Sequence, residues 1–145
     1  MAIYDAMFEF SDDQSITTTA QSTNVLDFQS TGLNMGGGTP IYLNVRVADA
    51  DFAGGTSLYV KVYSHTGGTG IQNGTLLYQT ADIAQASLTA GAWIIRMPLP
   101  VDCDTERYLG LYYDDTGGFT AGGIDAWLDN GSQTDSDIQV SNSNI

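Results

Sequence analysis

The sequence is poor in several residue types on which many protein functions depend. Its 145 residues include one cysteine, one histidine, three prolines and only four lysine or arginine residues. The single cysteine, Cys103, cannot form a disulfide within the chain, so the composition does not require an oxidising compartment. No apolar run approaches the ~18 residues of a membrane span. The opening residues, MAIYDAMFEF, lack the cationic and apolar regions of a secretory signal, so we expect a protein that assembles in a cytoplasm.

The scarcity of cations leaves a strongly acidic chain. Its 17 Asp and Glu residues give a formal net charge of −13. Nucleic-acid binding draws most of its affinity from Lys and Arg on phosphates, and an anionic membrane surface repels an acidic protein. The composition therefore predicts no nucleic-acid partner and no membrane partner, and the net charge favours solubility.

The solitary histidine, His65, argues against hydrolytic catalysis. A Ser/His/Asp arrangement would have to use it, and no Gly-x-Ser-x-Gly segment exists to present a serine nucleophile. Its neighbours predict an exposed loop histidine. Cys103 lies between Asp102 and Asp104, whose charges disfavour a thiolate. We therefore expect no catalytic residues, no cofactor and no enzymatic activity.

The acidic clusters raise the question of a metal site. Asp102, Asp104 and Glu106 have a spacing that offers oxygen ligands to Ca²⁺, which takes about six to eight of them. However, Arg107 stands where an EF-type loop has its turning glycine. The acidic clusters also lie in segments of turn character, where Asp is favoured for backbone reasons. We expect solvated turn residues and no metal site, with a surface Ca²⁺ site as the open alternative.

Short apolar runs, separated by many of the 17 glycines, predict an all-β protein. The two clearest runs are Ile41–Val47 and Ser57–Tyr63, in which apolar and polar residues alternate as in half-buried strands. We predict one domain, an antiparallel two-sheet sandwich with about eight short strands in a jelly-roll-like order. A helical turn fits residues 81–88, and the remaining predicted strands lie at residues 76–78, 93–97, 108–113 and 124–128.

The two ends of the chain are less clearly committed to a core than its middle. We predict an extended N-terminal arm at residues 1–23, a sandwich body at 24–128 and a polar tail at 129–145. Both terminal segments are candidate contact arms, since polar chain at the ends of a domain is usually loosely held. Within the arm, Phe8 and Phe10 are the candidate interface residues.

Aromatic side chains on the strands provide a second candidate interface. Tyr42, Tyr59 and Tyr63 fall at outward positions of the two clearest strands. If those strands pair, the three tyrosines form one face, and tyrosine is enriched at protein interfaces. The alternative is that this face is covered by the edge of the second sheet or by the N-terminal segment.

Several segments resemble a known family. The pattern starts at Phe10-Ser11-Asp12 and continues through Ser22-Thr23-Asn24-Val25, and two later segments follow in the same order, Gly54-Gly55-Thr56-Ser57-Leu58 and Glu106-Arg107-Tyr108-Leu109. In these segments, the chain resembles the capsid cement (decoration) proteins of tailed bacteriophages of the Bordetella-phage Bbp16 type. The resemblance spans about residues 1–128.

The resemblance implies a jelly-roll-like, homo-oligomeric protein, a homodimer or homotrimer, on the outer surface of a phage head. There it would bridge subunits of the major capsid protein and stabilise the shell of the virion. An acidic, all-β chain without catalytic motifs agrees with that role. The alternative function is a carbohydrate- or receptor-binding β-sandwich module of a phage tail or fibre, which predicts a platform of Tyr or Trp beside Asp or Asn.

Overall fold

The computed structural model describes residues 6–31, 40–99 and 106–130. Within them, three 3-10 turns lie at Ala6–Phe8, Ile71–Asn73 and Gln85–Ser87. The strands are β1 Glu9–Ser15, β2 Ala20–Gln21, β3 Leu26–Asp27, β4 Tyr42–Val47, β5 Ala53–Gly54, β6 Ser57–His65, β7 Thr75–Gln79, β8 Ile83–Ala84, β9 Trp93–Pro98, β10 Tyr108–Thr116, β11 Phe119–Ala121 and β12 Gly123–Asp129.

These strands form two principal antiparallel sheets. Sheet A has the order β1-β12-β4-β9, and sheet B has the order β2-β10-β6-β7, with β3 also pairing with β10 and β8 with β6. A small third sheet joins β5 and β11. If β2 and β3 count as one interrupted strand and the minor strands β5, β8 and β11 are set aside, chain-order numbering gives sheets 1-8-3-6 and 2-7-4-5. That is the strand order of a jelly roll, so the predicted all-β two-sheet sandwich is confirmed.

Alternation of apolar residues along the strands places the core between the sheets. On β4, Leu43, Val45 and Val47 are fully buried, and on β6 the same holds for Val60 and, within 1%, Val62. Residues at alternate positions point to opposite faces, so the intervening residues lie on the outer faces. The largest fully buried side chains are Trp127, Tyr113, Phe10, Phe52, Ile16, Leu43, Leu58, Ile71, Leu88, Leu109, Leu111 and Ile124.

The strand β1 changes the predicted boundary of the N-terminal arm. It pairs with β12 as an edge strand of sheet A, and both Phe10 and Ile16 have 0% exposure. Ser11 Oγ lies 2.7 Å from the Tyr113 hydroxyl, which connects β1 to sheet B. Residues 9–22 therefore belong to the sandwich body. Residues 1–5 and the tail from residue 131 onward lie outside the described residues.

The six strands and the helical turn predicted from the apolar runs have counterparts in the structure. The clearest runs correspond to β4 and β6, and the shorter runs correspond to β7, β9, β10 and β12. In the segment 81–88, a two-residue strand, β8, precedes a 3-10 turn, because β8 pairs with Ser57 and Leu58 of β6. The pairing partner lies far away in sequence, and the local pattern does not reveal it.

The sandwich has two ends with different character. Glu9 lies opposite Trp127, and Ser15 lies opposite Gly123. We call the end near Glu9 and Trp127 the basal end, and the end near Ser15 and Gly123 the apical end.

An aromatic pair closes the apical end. The rings of Phe52 and Phe119 meet edge to face with centroids 4.8 Å apart. Beside them, Gly122 has φ +131°, and a Cβ at this position would overlap the Phe52 ring. Glycine is therefore required at this position by both the backbone conformation and the close packing.

Candidate contact surfaces

Apolar side chains form an exposed patch at the basal end. Phe8, Phe28, Ile41 and Leu128 line a cavity of 70 Å³ together with Asp129 and Asn130. Phe8 is 44% exposed, and its neighbour Met7 is 80% exposed. We call Met7, Phe8, Phe28, Ile41 and Leu128 the basal patch. Of these residues, Met7 and Phe8 are exposed, Phe28 and Ile41 are half-buried, and Leu128 is buried. Exposed apolar side chains beside an apolar cavity are typical of a contact site.

The elements around the basal patch hold it in place. Phe8 ends the 3-10 turn that leads into β1, and Phe28 donates its N–H to Arg107 O at 2.9 Å. Leu99 donates its N–H to Ile41 O at 2.8 Å. Phe28 and Ile41 also pack against the core. Phe28 and Ile41 therefore lie on backbone that is hydrogen-bonded to neighbouring segments.

A second candidate surface is the outer face of sheet B. Tyr59, Lys61 and Tyr63 of β6 lie there, and Tyr112 of β10 lies opposite Lys61. The rings of Tyr63 and Tyr112 meet nearly at right angles, with centroids 6.3 Å apart. Lys61 Nζ lies 5.8 Å from the Tyr59 ring centroid. We call these residues the tyrosine face. All of its tyrosines are half-buried.

Ion pairs border the tyrosine face. Lys61 Nζ donates to Asp114 Oδ2 at 2.6 Å, and this hydrogen bond raises the pKa of Lys61. At the basal side of the sheet, Arg107 donates to both carboxylate oxygens of Asp27, at 2.6 and 2.8 Å. The Arg107 hydrogen bond lowers the pKa of Asp27 to about 2. Two of the four cations are therefore already paired with acids on this side of the molecule.

A glycine lets a loop cover part of this face. A Cβ at Gly110 would lie 2.9 Å from Ile71 Cγ1 and 3.2 Å from Val25 Cγ2. Ile71 is fully buried, and its N–H donates to Gln21 Oε1 at 3.0 Å. The 3-10 turn that contains Ile71 therefore packs onto β10 where the strand has no side chain. Part of this face is therefore covered by the turn at Ile71–Asn73, a segment that the predicted alternative did not name.

The prediction that Tyr42 shares a face with Tyr59 and Tyr63 is wrong. Tyr42 lies on β4 in sheet A, whereas the other two lie on β6 in sheet B, and the two strands do not pair. In sheet A, Tyr42 lies opposite Asp129 and Pro98. Outer residues of two different sheets point to opposite sides of a sandwich. Three tyrosines at similar positions of two strands do not show whether the strands share a sheet.

Both tryptophans lie on the outer face of sheet A around an arginine. The Arg46 guanidinium carbon is 6.0 Å from the Trp93 ring centroid and 5.6 Å from the Trp127 ring centroid. Arg46 Nε donates to Asp125 Oδ2 at 3.2 Å, and the other oxygen of Asp125 accepts the Asp13 N–H at 2.8 Å. Such cation–π contacts and charge-assisted bonds hold β1, β4, β9 and β12 together.

Sequence reasoning did not identify this aromatic cluster as a unit. Arg96 stacks on Trp93 with 4.5 Å between its guanidinium carbon and the ring centroid. Trp127 is fully buried, so the cluster does not form an open ring platform. The available signal was the spacing of Asp125, Trp127 and Asp129 at alternate positions of β12, whose register with β4 is set by long-range pairing.

The solitary histidine lines a polar pocket at the basal end of sheet B. His65 ends β6, and its Nδ1 accepts the Gly67 N–H at 2.7 Å. The pocket has a volume of 240 Å³ and is lined by Ser64, His65, Thr66, Asn73, Gly74, Thr75 and Glu106. Buried Ser64 accepts the Glu106 N–H through its Oγ. These groups provide hydroxyl, amide and carboxylate partners for a small polar ligand.

The structure separates the two phenylalanines of the predicted interface. Phe8 lies in the exposed basal patch, whereas Phe10 is fully buried in the core. A surface-contact role for Phe10 is therefore wrong, because the inward face of β1 places it between the sheets. Tyr42, Tyr59 and Tyr63 remain half-buried.

The predicted alternative of a Ca²⁺ site lies largely outside the described residues. Asp102, Cys103 and Asp104 lie outside them, so the alternative of a Ca²⁺ site with Glu106 is left as an expectation. Among the residues that are described, no group of three or more His, Cys, Asp or Glu side chains is placed to hold a metal ion. In the same part of the chain, no helix has the length and apolar character to cross a membrane.

Comparison with known families decides the relationship of the chain. A family model for Bbp16 matches residues 10–128, well over half of the chain. The chain belongs to the Bbp16 family. The match begins in β1 and ends in β12, so it covers both sheets of the Bbp16 fold described here. No curated protein matches the sequence. The resemblance in the N-terminal and later segments is thereby confirmed at the level of the family, whose name is of phage origin.

Proposed function

We propose that this Bbp16-family protein is a capsid cement protein, which binds the outer surface of a bacteriophage head and bridges subunits of the major capsid protein. It acts through contact surfaces and is not an enzyme. The observation that carries the proposal is the basal patch, in which Met7 and Phe8 are 80% and 44% exposed. Burying such apolar surface against a shell provides roughly 25 cal/mol per Å².

The basal patch supports binding to a large rigid partner. Phe8 and Phe28 border an apolar cavity that an apolar side chain of the partner can enter. The backbone at Phe28 and Ile41 is hydrogen-bonded, so these two residues lose little conformational entropy on binding. Many copies on one shell add their modest contact energies, which stabilises the assembled state by mass action.

The charge of the chain supports an outward position on the shell. A net charge of −13 facing packaged nucleic acid would be repelled, whereas a basic region of the outer capsid surface would attract it. In solution we expect a homodimer or homotrimer. Binding to shells should weaken as salt concentration rises, since screening shortens the range of the attraction.

Co-sedimentation with empty shells of the phage that carries this gene tests the proposal. The wild-type protein should sediment with the shells, and Phe8→Asp should bind about tenfold or more weakly, because it places a charge in the apolar patch. Thr89→Asp is the matched control, since Thr89 is exposed near the apical end and the substitution changes the net charge equally. Absence of wild-type binding, or equal binding by both variants, would contradict the proposal.

The second candidate function is a carbohydrate-binding module of a phage tail or fibre. The polar pocket at His65 favours it, because Asn73, Glu106 and Thr75 offer the partners that sugar hydroxyls need. A glycan array with the purified protein tests this candidate. Hits that disappear in Asn73→Ala would support it, and an array without hits, together with shell binding, would leave the cement function.

A further inference from the structure

Among the residues that the structure describes, no strand pairs with the outer side of β7, which is therefore an edge of sheet B. Sheet B ends at β7, which pairs with β6 along one side. Its sequence, Thr-Leu-Leu-Tyr-Gln, carries no charge, and Leu76 is 46% exposed. An uncharged edge strand presents backbone groups to which another extended chain can bind.

The other described edges carry features that hinder strand addition. β1 contains Glu9, Asp12 and Asp13 and has two register shifts against β12. β9 contains Arg96 and Pro98. β2 and β3 are two residues long. Charges, proline, bulges and short length are the usual protections of sheet edges, so β7 differs from its counterparts in lacking charge and proline over five residues.

The register of β7 shows which backbone groups face outward. Thr80 donates its N–H to Val60 O at 3.0 Å, so the preceding residue, Gln79, directs its N–H and C=O to the open side. Leu76 lies opposite Tyr63, and the same alternation directs its backbone outward. A register shift at Leu77 separates the two positions. An incoming strand therefore meets Leu76 and Gln79 as its two pairing sites.

We infer that β7 is a strand-addition site, at which an extended basic segment of the capsid subunit pairs with Leu76 and Gln79. The inference rests on the proposed function, because it takes the capsid subunit as the partner. In this mode of recognition, main-chain hydrogen bonds provide affinity and alternate side chains provide specificity. The exposed Leu76 side chain is the apolar contact for one side chain of the segment.

Charge selects the basic segment over a second copy of the chain. Arg46, Lys61 and Arg107 form ion pairs with acids of the same chain, namely Asp125, Asp114 and Asp27. The remaining acidic excess attracts Lys and Arg on an incoming segment. A second copy would bring another net charge of −13 to the same edge, and this repulsion opposes pairing between two β7 strands.

Hydrogen exchange of the full-length protein, free and bound to empty shells, tests the inference. In the free protein, the amide protons of Leu76 and Gln79 should exchange rapidly because they face solvent. On shells, both should become protected at least tenfold, whereas the outward amides of β9 should change little. Unchanged exchange at Leu76 and Gln79 on shells that do bind the protein would overturn the inference and leave the cement function intact.

A pair of lysine variants separates edge pairing from net charge. Leu76→Lys adds a charge to the edge, whereas Thr89→Lys adds the same charge near the apical end. Leu76→Lys should bind shells about tenfold more weakly than Thr89→Lys, with unchanged thermal unfolding because Leu76 is half-exposed. Equal binding of the two variants would overturn the inference.

Two further outcomes would overturn the inference that β7 is a strand-addition site. If light scattering shows a dimer in free solution and the Leu76 and Gln79 amides are protected in that dimer, the edge is a self-association site and the inference is wrong. If the wild-type protein does not bind shells at all, the proposed function fails and this inference fails with it.

Discussion

Substitutions at the hydrogen bond between Tyr113 and Ser11 should show how much this bond contributes to the packing of β1 against the rest of the sandwich. Ser11 Oγ donates to Gln14 Oε1 at 2.7 Å, so the Tyr113 hydroxyl, also at 2.7 Å, must donate to Ser11. Both residues have 0% exposure. Burial raises the pKa of Tyr113. The bond therefore joins β1 of sheet A to β10 of sheet B without competition from solvent.

Tyr113→Phe and Ser11→Ala should lower the free energy of unfolding by different amounts. Tyr113→Phe removes the donor but leaves Ser11 bonded to Gln14, so we expect about 1 kcal/mol of destabilisation. Ser11→Ala leaves the buried Tyr113 hydroxyl without its acceptor, which costs about 1–3 kcal/mol. A loss of ~1 kcal/mol lowers the melting temperature of a chain of this size by roughly 3 °C.

A double-mutant cycle isolates the interaction. In the Ser11→Ala background, adding Tyr113→Phe removes the unsatisfied hydroxyl, so the second substitution should be neutral or stabilising. Urea unfolding followed by tryptophan fluorescence gives the four free energies of unfolding, and equal m-values confirm that the unfolded states are comparable. Additive costs, with a coupling below about 0.3 kcal/mol, would refute the reasoning, because independent sites add within that margin.

Three further predictions follow from the packing and the ion pairs. Gly122→Ala should lower the free energy of unfolding by about 3 kcal/mol, because φ is +131° and the new methyl group meets Phe52. Gly91→Ala, where φ is +76° and the space is open, should lower it by about 1 kcal/mol. Equal losses of stability in thermal unfolding would contradict this difference. By carbon-13 NMR titration, Asp27 should have a pKa of about 2, and Arg107→Gln should bring it towards 3.8. Since the pKa of Asp27 is lower in the folded state, the contribution of Asp27 to stability is present above its unfolded pKa and is lost as pH falls towards 2. If the pKa of Asp27 is unchanged in Arg107→Gln, the proposed pairing with Arg107 is wrong. Because the Tyr113 pKa is raised above 10.0, wild-type stability should fall above that pH. In unfolding measured from pH 9 to 11, Tyr113→Phe should show a smaller decline, to which the raised pKa of Lys61 still contributes; the same slope in both proteins would show that Tyr113 does not cause it.

The sequence predicts some strands well and misses others for a physical reason. β4 and β6 alternate cleanly because one face of each is buried in the core. The polar residues Ser11 to Gln14 predict an arm instead of a strand. In the structure, β1 is also irregular at this point, with Asp13 at φ +44° and two register shifts in its pairing with β12. Its place in sheet A depends on β12, more than a hundred residues away, and a local pattern contains no information about that pairing.

The candidate surfaces were predictable only in part for the same reason. Phe8 and Phe10 have the same spacing as any alternating pair, and only the position of β1 places Phe10 inside. Tyr42 and Tyr59 occupy similar outward positions, but sheet membership separates them. The basal patch consists of Met7 and Phe8 from the turn before β1, Leu128 from β12, and Phe28 and Ile41. These residues are far apart in sequence, and the topology of the fold brings them together.

The pairing of the first strand with the last has a consequence for synthesis. Asp13 bonds to Asp125, which is 112 residues later in the sequence. On a ribosome, β1 cannot pair with β12 until β12 has left the exit tunnel, so sheet A is completed only after all four of its strands have been made. Until then Phe10 and Ile16 have no completed core to enter, and the nascent chain is vulnerable to aggregation and to chaperone capture. Its many long-range contacts also predict slow folding, in milliseconds to seconds.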